Sequence, residues 1–161
     1  NSYVVEVASN DGYLLKNFLD LGVPCLGIEP TKGTAAASIK LGIDVIQEFF
    51  SEKIANKVVD ERKKADLIIA NNVYAHVPMI NDFTLGLKKL LNKNGTITIE
   101  FAYLMTLIKN KEFDTIYHEH FSYLSLHAVN SCFSQNGLKI YDVEEVIPSI
   151  YLVTDLSRNK L

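Results

Sequence analysis

The chain has 161 residues, 48% of them hydrophobic, which is the size and composition of one domain with a single core. Its net charge is −3 with acidic and basic residues interspersed, so no basic face indicates nucleic-acid binding, and no apolar run is as long as a membrane span. Cys25 and Cys132 lie far apart in apolar surroundings, and we expect two buried free thiols in a cytoplasmic protein.

Short β-branched runs alternate with longer segments of helical periodicity in the first part of the chain. These runs predict five strands at residues 3–8, 24–29, 43–46, 65–71 and 95–101. Ser51 is a suitable helix N-cap, and Gly95 is a suitable helix stop. Strands separated by helices predict right-handed crossovers, and therefore a parallel sheet with helices on both faces.

The alternation ends after the fifth predicted strand. A short amphipathic segment leads to the loop TIYHEHFSY at residues 115–123. A helix is predicted at about 126–136, and Gly137 ends it. Two late strands follow at 138–146 and 149–155, and we expect them to pair as a hairpin at one edge of the sheet. The complete pattern predicts an α/β fold of the nucleotide-binding type.

Polar residues, with one turn glycine among them, follow the predicted strands at the points where the strands end. In an open α/β sheet, ligands bind in the crevice beyond the carboxyl ends of the strands, so we expect these residues to gather at one edge. They are Asn10, Asp11, Gly12, Glu29, Glu48, Asn71, Asn72, His76, Glu100, Tyr117, His118, Glu119 and His120. Their shared placement predicts a ligand site.

The turn after the first strand argues against a dinucleotide. It lacks the G-x-G-x-x-G pattern that lets pyrophosphate approach the backbone, and Asp11 would repel a phosphate. Asp11 suits a cationic or hydroxyl-rich ligand, Glu29 can bind both hydroxyls of a ribose, and an adenine fits between Phe49 and Phe50. An adenosine that carries a cationic group describes S-adenosylmethionine. The structural alternatives are a helix cap for Asp11, a turn carboxylate for Glu29 and core positions for the two phenylalanines.

Five segments together carry a family resemblance that covers nearly the whole chain. They are VVEVASNDGYLL, GIEP, EFFS, ANNVYAHVP and FDTIYHEHFSYLSLHAV. With them the chain resembles the class I methyltransferases that C-methylate nucleotide-linked deoxysugars at C3 of a 4-keto sugar. The resemblance implies a Rossmann-like class I fold, S-adenosyl-L-methionine as the methyl donor and a nucleotide-linked sugar as the acceptor.

The resemblance also implies roles for individual residues. The donor is expected to contact Glu6, Ser9, Asn10, Asp11, Gly12, Glu29, Glu48, Phe49, Phe50, Asn71 and Asn72. Asn71 and Asn72 would lie near its sulfonium. The catalytic groups are expected to be Tyr117, Glu119 and His120, with assistance from His76.

Two departures from the family pattern and two absent domains accompany the resemblance. Ala8 stands where the family usually has glycine, and we expect its methyl group to crowd the ligand. The late turn reads VIPSIYLV instead of a His-Gly-Gly-Ser sequence. Full-length relatives begin with a small zinc domain and end with a second α/β domain. We therefore expect residues 1–161 to be a single donor-binding domain, a fragment without those two parts.

C-methylation beside a ketone needs a base that removes the α-proton. Histidine is the side chain that titrates nearest neutrality, and His120 is the candidate base. Tyr117 could donate to the enolate oxygen, and Glu119 could bind a sugar hydroxyl. A metal held by His118 and His120 and a purely structural loop are alternatives. Because the loop lacks H-E-x-x-H spacing and has no cysteine nearby, we expect no metal.

Three further functions stay open at the level of sequence. One is a methyltransferase for another small molecule with an oxygen or nitrogen nucleophile, which would not need His120 as a base. Another is a donor-binding module without turnover, which Ala8 and the missing domains favour. A nicotinamide-dependent reductase is the weakest, because the glycine fingerprint is absent.

Overall fold

The computed structural model describes residues 2–146 and 149–156, and within them seven strands form one sheet. The strands are β1 (Val4–Val7), β2 (Cys25–Ile28), β3 (Asp44–Ile46), β4 (Ala65–Asn71), β5 (Leu91–Ala102), β6 (Leu138–Val146) and β7 (Ser149–Leu156). Their order is β3–β2–β1–β4–β5–β7–β6. Neighbours among β1 to β5 are parallel, whereas β7 runs antiparallel between β5 and β6. The predicted Rossmann-like α/β fold is confirmed.

Helices occupy the connections along the chain from β1 to β6. They are α1 (Leu15–Asp20), α2 (Lys32–Lys40), α3 (Glu52–Glu61), α4 (Ile80–Leu90), α5 (Leu104–Asn110) and α6 (Leu126–Gln135). Ser51 caps α3 as predicted, because its hydroxyl accepts a hydrogen bond from the Ile54 N–H at 3.3 Å. The end of α6 before Gly137 is also confirmed, and the φ of +73° there favours glycine. Each of these helices is too short or too polar to cross a membrane.

Gly95 does not stop a helix, contrary to the prediction. α4 ends at Leu90, and Gly95 lies within β5. A Cβ at this position would lie 2.7 Å from Leu91 Cδ1 and 2.9 Å from the Ala65 carbonyl oxygen. Glycine is therefore needed because the backbones of β4 and β5 approach closely here, next to a register shift after Ala65.

Side-chain alternation along the strands divides the core into two clusters, one on each face of the sheet. Val5 belongs to the larger cluster, which includes side chains of α3, α4 and α6. Val4 and Ile69 belong to the smaller cluster, together with a leucine of α1. Glu6 lies two positions after Val4 on β1, and Asn71 lies two positions after Ile69 on β4. Both therefore share the face of the smaller cluster.

The late hairpin pairs β6 with β7 from Leu138↔Leu156 to Val146↔Ser149, which confirms the predicted pairing. The departure at VIPSIYLV falls partly on residues 147–148, outside the described residues. Tyr151, which lies within this stretch, pairs with Glu100 of β5. The hairpin therefore places Tyr151 beside the carboxyl ends of the parallel strands.

Both cysteines are free, as predicted, but they are half-buried rather than fully buried. Cys25 is packed against the smaller cluster, and burial raises the pKa of its thiol. Cys132 lies on α6, and its thiol donates to the Asn81 Oδ1 atom at 3.4 Å.

Candidate functional site

A polar cavity of about 580 Å³ opens at the carboxyl ends of β1, β2 and β4. This is the crevice in which open α/β sheets bind ligands. Its lining comprises Glu6, Ala8, Asn10, Tyr13, Glu29, Thr31, Thr34, Asn71, Asn72, His76 and Glu119. The predicted gathering of polar residues at this edge is thus present in the structure.

An apolar cavity of about 580 Å³ adjoins the polar one, and Ala8 and His76 line both. Phe49 lines it with 81% of its surface exposed, so its ring is available to a ligand. Phe50 also lines the cavity and packs edge-on against Phe83, with ring centroids 5.0 Å apart. The two phenylalanines provide the flat apolar surface that an adenine requires.

Glu29, buried at the end of β2, is held in place by two backbone hydrogen bonds. Its Oε2 accepts from the Asn10 N–H at 3.0 Å, and its Oε1 accepts from the Thr31 N–H at 2.8 Å. Each carboxylate oxygen has two lone pairs, so both oxygens can still accept from ligand hydroxyls. This geometry suits the two hydroxyls of a ribose.

Glu6 lines the polar cavity from β1 and is 2% exposed. Its Oε2 has no hydrogen-bond partner among the described residues. Burial raises the pKa of its carboxyl group to about 8. A cation in the cavity would pair with this carboxylate and favour its ionised form. Glu6 is therefore suited to the ammonium group of a ligand.

Three residues that line the polar cavity adopt the left-handed backbone conformation. The φ angles are +59° at Ala8, +53° at Asn10 and +51° at Asn72. Asparagine tolerates this region, whereas a Cβ such as that of alanine costs about 1–2 kcal/mol there. Ala8 therefore occupies a glycine-type position, and it lies where both cavities meet.

The structure does not bring Ser9 or Gly12 to either cavity. Ser9 is fully buried against Gly27 of β2. A Cβ at Gly12, whose φ is +85°, would lie 2.6 Å from Ser38 Oγ. The Ser9 side chain is thus directed into the core and away from both cavities. A donor contact of Gly12 would be made by its backbone, and it stays a prediction.

Asp11 and Glu48 also lie outside the lining of the two cavities. The Asp11 Oδ1 accepts a hydrogen bond from the Tyr13 N–H at 3.3 Å, so this carboxylate stabilises its own turn. Glu48 follows β3 with its side chain exposed to solvent. The alternative of a helix cap for Asp11 is wrong, because Leu14 is the N-cap of α1 and, among the described residues, no side chain caps that helix. The donor contact of Asp11 stays a prediction.

His120 stands at the centre of the predicted catalytic group. Its Nδ1–H donates to the Thr115 carbonyl at 2.8 Å, which leaves Nε2 as the unprotonated nitrogen of the neutral ring. The Tyr117 hydroxyl donates to that Nε2 at 3.2 Å. The ring centroid of His76 lies 4.6 Å from that of His120. Because His76 lines both cavities, this cluster connects the loop to the ligand site.

Glu119 lines the polar cavity, while its backbone carbonyl accepts a hydrogen bond from His76 Nδ1 at 3.0 Å. His118 Nε2 lies 4.0 Å from Glu119 Oε1, and both side chains are largely exposed. Such a surface pair contributes little to stability. Within residues 2–146 and 149–156, no group of three or more His, Cys, Asp or Glu side chains could hold a metal ion.

Several lining residues were not anticipated from the sequence. Tyr13, Thr31 and Thr34 line the polar cavity, whereas Met79 and Phe121 line the apolar one. Tyr13 directly follows the first turn, and Thr31 comes two residues after Glu29. Their position just beyond a strand end is the feature of the sequence that could have identified them as lining residues.

The model of the methyltransferase domain family matches residues 1–143. The C-methyltransferase NovU from Streptomyces niveus is 34% identical over 140 residues, which are 87% of this chain and 33% of NovU. This chain therefore spans about a third of the length of that curated relative.

Solved structures of methyltransferases share the fold. An S-adenosylmethionine-dependent methyltransferase from Clostridium acetobutylicum aligns with a TM-score of 0.75 and 9% identity over 98% of this chain and 85% of its own. Magnesium protoporphyrin IX methyltransferase (ChlM) from Synechocystis, with bound S-adenosylhomocysteine, aligns with a TM-score of 0.69 and 12% identity over 94% of this chain and 72% of its own. Because the family model covers most of the chain, the protein belongs to the methyltransferase domain family.

Proposed function

We propose that this chain is the donor-binding and catalytic core of an S-adenosylmethionine-dependent C-methyltransferase. The proposed acceptor is a nucleotide-linked 4-keto-deoxysugar, methylated on the carbon beside the ketone. Membership of the methyltransferase family, the relationship to the C-methyltransferase NovU and the S-adenosylhomocysteine bound to ChlM support the donor and the reaction class. The proposed acceptor rests on the resemblance and on the chemistry of the His120 cluster.

The two cavities fit the parts of S-adenosylmethionine. The apolar cavity beside Phe49 and Phe50 suits the adenine, and the carboxylate of Glu29 suits the ribose. The unpartnered, buried Glu6 carboxylate suits the ammonium group of the methionine part. When bound, the sulfonium supplies an electrophilic methyl group to a carbon nucleophile.

The observation that carries the proposal is the hydrogen bonding of His120. Its Nδ1–H donates to the Thr115 carbonyl, so Nε2 carries the lone pair that can act as a base once the Tyr117 hydroxyl moves to the acceptor. The Tyr117 hydroxyl lies on that lone pair at 3.2 Å. This arrangement supplies the base that a carbon acid needs, and the relationship to the C-methyltransferase NovU favours carbon over an oxygen or nitrogen acceptor.

The proposed mechanism begins when the ketone of the acceptor draws the Tyr117 hydroxyl away from His120. His120 Nε2 then takes the α-proton, and the electrons of the C–H bond form the enolate. The Tyr117 O–H donates to the enolate oxygen and stabilises its developing charge. A positioned base of this kind accelerates proton transfer about 10²–10⁴-fold. Glu119 and His76, which line the polar cavity, orient the sugar beside the donor methyl group.

Exchange of the acceptor α-proton in heavy water tests the base without requiring methyl transfer. Saturating S-adenosylhomocysteine replaces the donor, and a panel of nucleotide-linked 4-keto-deoxysugars is followed by proton NMR. We expect exchange with one member of the panel, and a decrease of about 10²-fold or more in His120→Asn. His127→Asn, an exposed histidine on α6, serves as the matched control and should exchange normally.

Three outcomes would contradict the proposal. Exchange at an unchanged rate in His120→Asn would remove this residue as the base. Methylation of an oxygen or nitrogen acceptor, with no exchange across the sugar panel, would support the alternative of another small-molecule methyltransferase. Donor binding with neither exchange nor methylation would indicate a binding module without turnover.

A further inference from the structure

Asn71, Glu100 and Tyr151 form one row across β4, β5 and β7 at the carboxyl edge of the sheet. Asn71 pairs with Glu100, and Glu100 pairs with Tyr151. Side chains of paired residues lie on the same face of a sheet. Since Asn71 shares its face with Glu6, the Tyr151 ring also lies on that side, next to the polar cavity.

The Tyr151 hydroxyl donates a hydrogen bond to Asn71 Oδ1 at 3.2 Å. An asparagine amide has one acceptor oxygen and one NH₂ group with two donors. Tyr151 therefore occupies the oxygen side of the amide. Oδ1 keeps a second lone pair, but its hydrogen bond to Tyr151 turns the oxygen end of the amide towards β7. The NH₂ is the opposite end of the amide, and Asn71 lines the polar cavity.

This polarity changes the expected partner of Asn71. Amide N–H groups attract a negatively charged oxygen and are unfavourable next to a cation, so the predicted placement beside the sulfonium does not fit. The methionine part of the proposed donor has an ammonium and a carboxylate on the same carbon. Glu6 on β1, beside β4 in the sheet, is suited to the ammonium, which leaves the carboxylate for Asn71.

We propose that Tyr151 is a positioning residue that holds Asn71 with its amide N–H groups towards the cavity, where they bind the α-carboxylate of the methyl donor. The inference rests on the proposed identity of the donor. It adds to that proposal the residue that orients Asn71, which lies beside Glu6 at the amino-acid end of the donor. β7 contributes to this end of the site through a residue that does not line the cavity itself.

Isothermal titration calorimetry with two ligands tests this role of Tyr151. S-adenosylhomocysteine has the amino-acid head group, and 5′-methylthioadenosine lacks it but retains the adenosine and the sulfur. In Tyr151→Phe we expect about three- to tenfold weaker binding of S-adenosylhomocysteine, the effect of one hydrogen bond, and unchanged binding of 5′-methylthioadenosine. Tyr141→Phe, on the edge strand β6, is the matched control and should bind both ligands normally.

Asn71→Asp tests the polarity of the amide. The new carboxylate can still accept from Tyr151, but it places a negative oxygen where the NH₂ was. We expect S-adenosylhomocysteine to bind more than about tenfold more weakly, again without an effect on 5′-methylthioadenosine. Retained or tighter binding would show that an acceptor faces the ligand, and it would overturn the inference.

Two further outcomes would overturn the inference while leaving the proposed donor intact. They are an unchanged S-adenosylhomocysteine affinity in Tyr151→Phe, and an equal loss for both ligands, which would indicate a general structural effect. If the unchanged protein binds neither ligand, the proposed donor itself is wrong and the inference falls with it. Unfolding midpoints of the variants show whether each is folded.

Discussion

Replacement of Glu6 by glutamine should change how the stability of the protein depends on pH. The pKa of this carboxyl is 4.5 ordinarily and about 8 in the folded chain, because burial disfavours the charged form. A raised carboxyl pKa means that the folded chain binds the proton more tightly than the unfolded chain. The contribution of the Glu6 carboxyl to the free energy of unfolding is therefore fully present below pH 4.5 and is lost as the pH rises through about 8.

The size of the effect follows from the two pKa values. Roughly 1.4 kcal/mol for each pH unit between 4.5 and about 8 gives a maximal loss of about 5 kcal/mol. Relaxation of the protein around a buried charge lowers this value, so we expect about 2–4 kcal/mol between about pH 5 and about pH 9. Glutamine has the same shape and does not titrate, so Glu6→Gln should lack this decline.

Urea unfolding of the wild-type protein and of Glu6→Gln across this pH range measures the difference. The free energy of unfolding of the variant should rise relative to the wild type by the amount expected above. Glu145→Gln, an exposed carboxyl on β6, is the matched control and should follow the wild type. A difference between Glu6→Gln and wild type that does not vary with pH would refute the reasoning about burial.

Three further substitutions test the packing and the cavities. Gly12→Ala should lower the free energy of unfolding by about 2–4 kcal/mol, because the added Cβ clashes with Ser38 and the backbone angle is left-handed. A loss below about 1 kcal/mol would contradict this. Ala8→Gly should change the free energy of unfolding by less than about 1 kcal/mol, since relief of backbone strain offsets the conformational entropy of glycine. It should also tighten S-adenosylhomocysteine binding in calorimetry. Weaker binding would argue that the Ala8 methyl group does not crowd the ligand. Phe49→Ala should leave the unfolding midpoint unchanged but weaken 5′-methylthioadenosine binding about fivefold or more, and an unchanged affinity would remove Phe49 from the adenine site.

The sheet could be predicted because its strands have recognisable local sequence patterns. β1 and β4 are short β-branched runs, and Gly137 ends α6 where the helical pattern stops. Gly95 was misread because a glycine after a helical pattern commonly stops a helix. Its actual cause is the contact between β4 and β5, which depends on residues far apart in the chain.

The site could be predicted only in part, and the reason is geometric. Glu6 and Glu29 follow from topology, since the carboxyl ends of parallel strands meet at one edge. Ser9 and Asp11 flank a residue with positive φ, and the resulting turn directs their side chains away from the cavities. Tyr151 could not be anticipated, because its partner Asn71 lies 80 positions earlier in the chain and meets it only in the folded sheet.

The most direct test of the account is calorimetric titration of the chain with S-adenosylmethionine and, separately, with NADH. We predict that S-adenosylmethionine binds, that NADH does not, and that Glu29→Ala abolishes the binding because the ribose loses its carboxylate. Binding of NADH, or binding of S-adenosylmethionine that survives Glu29→Ala unchanged, would contradict the assignment of the two cavities to the methyl donor.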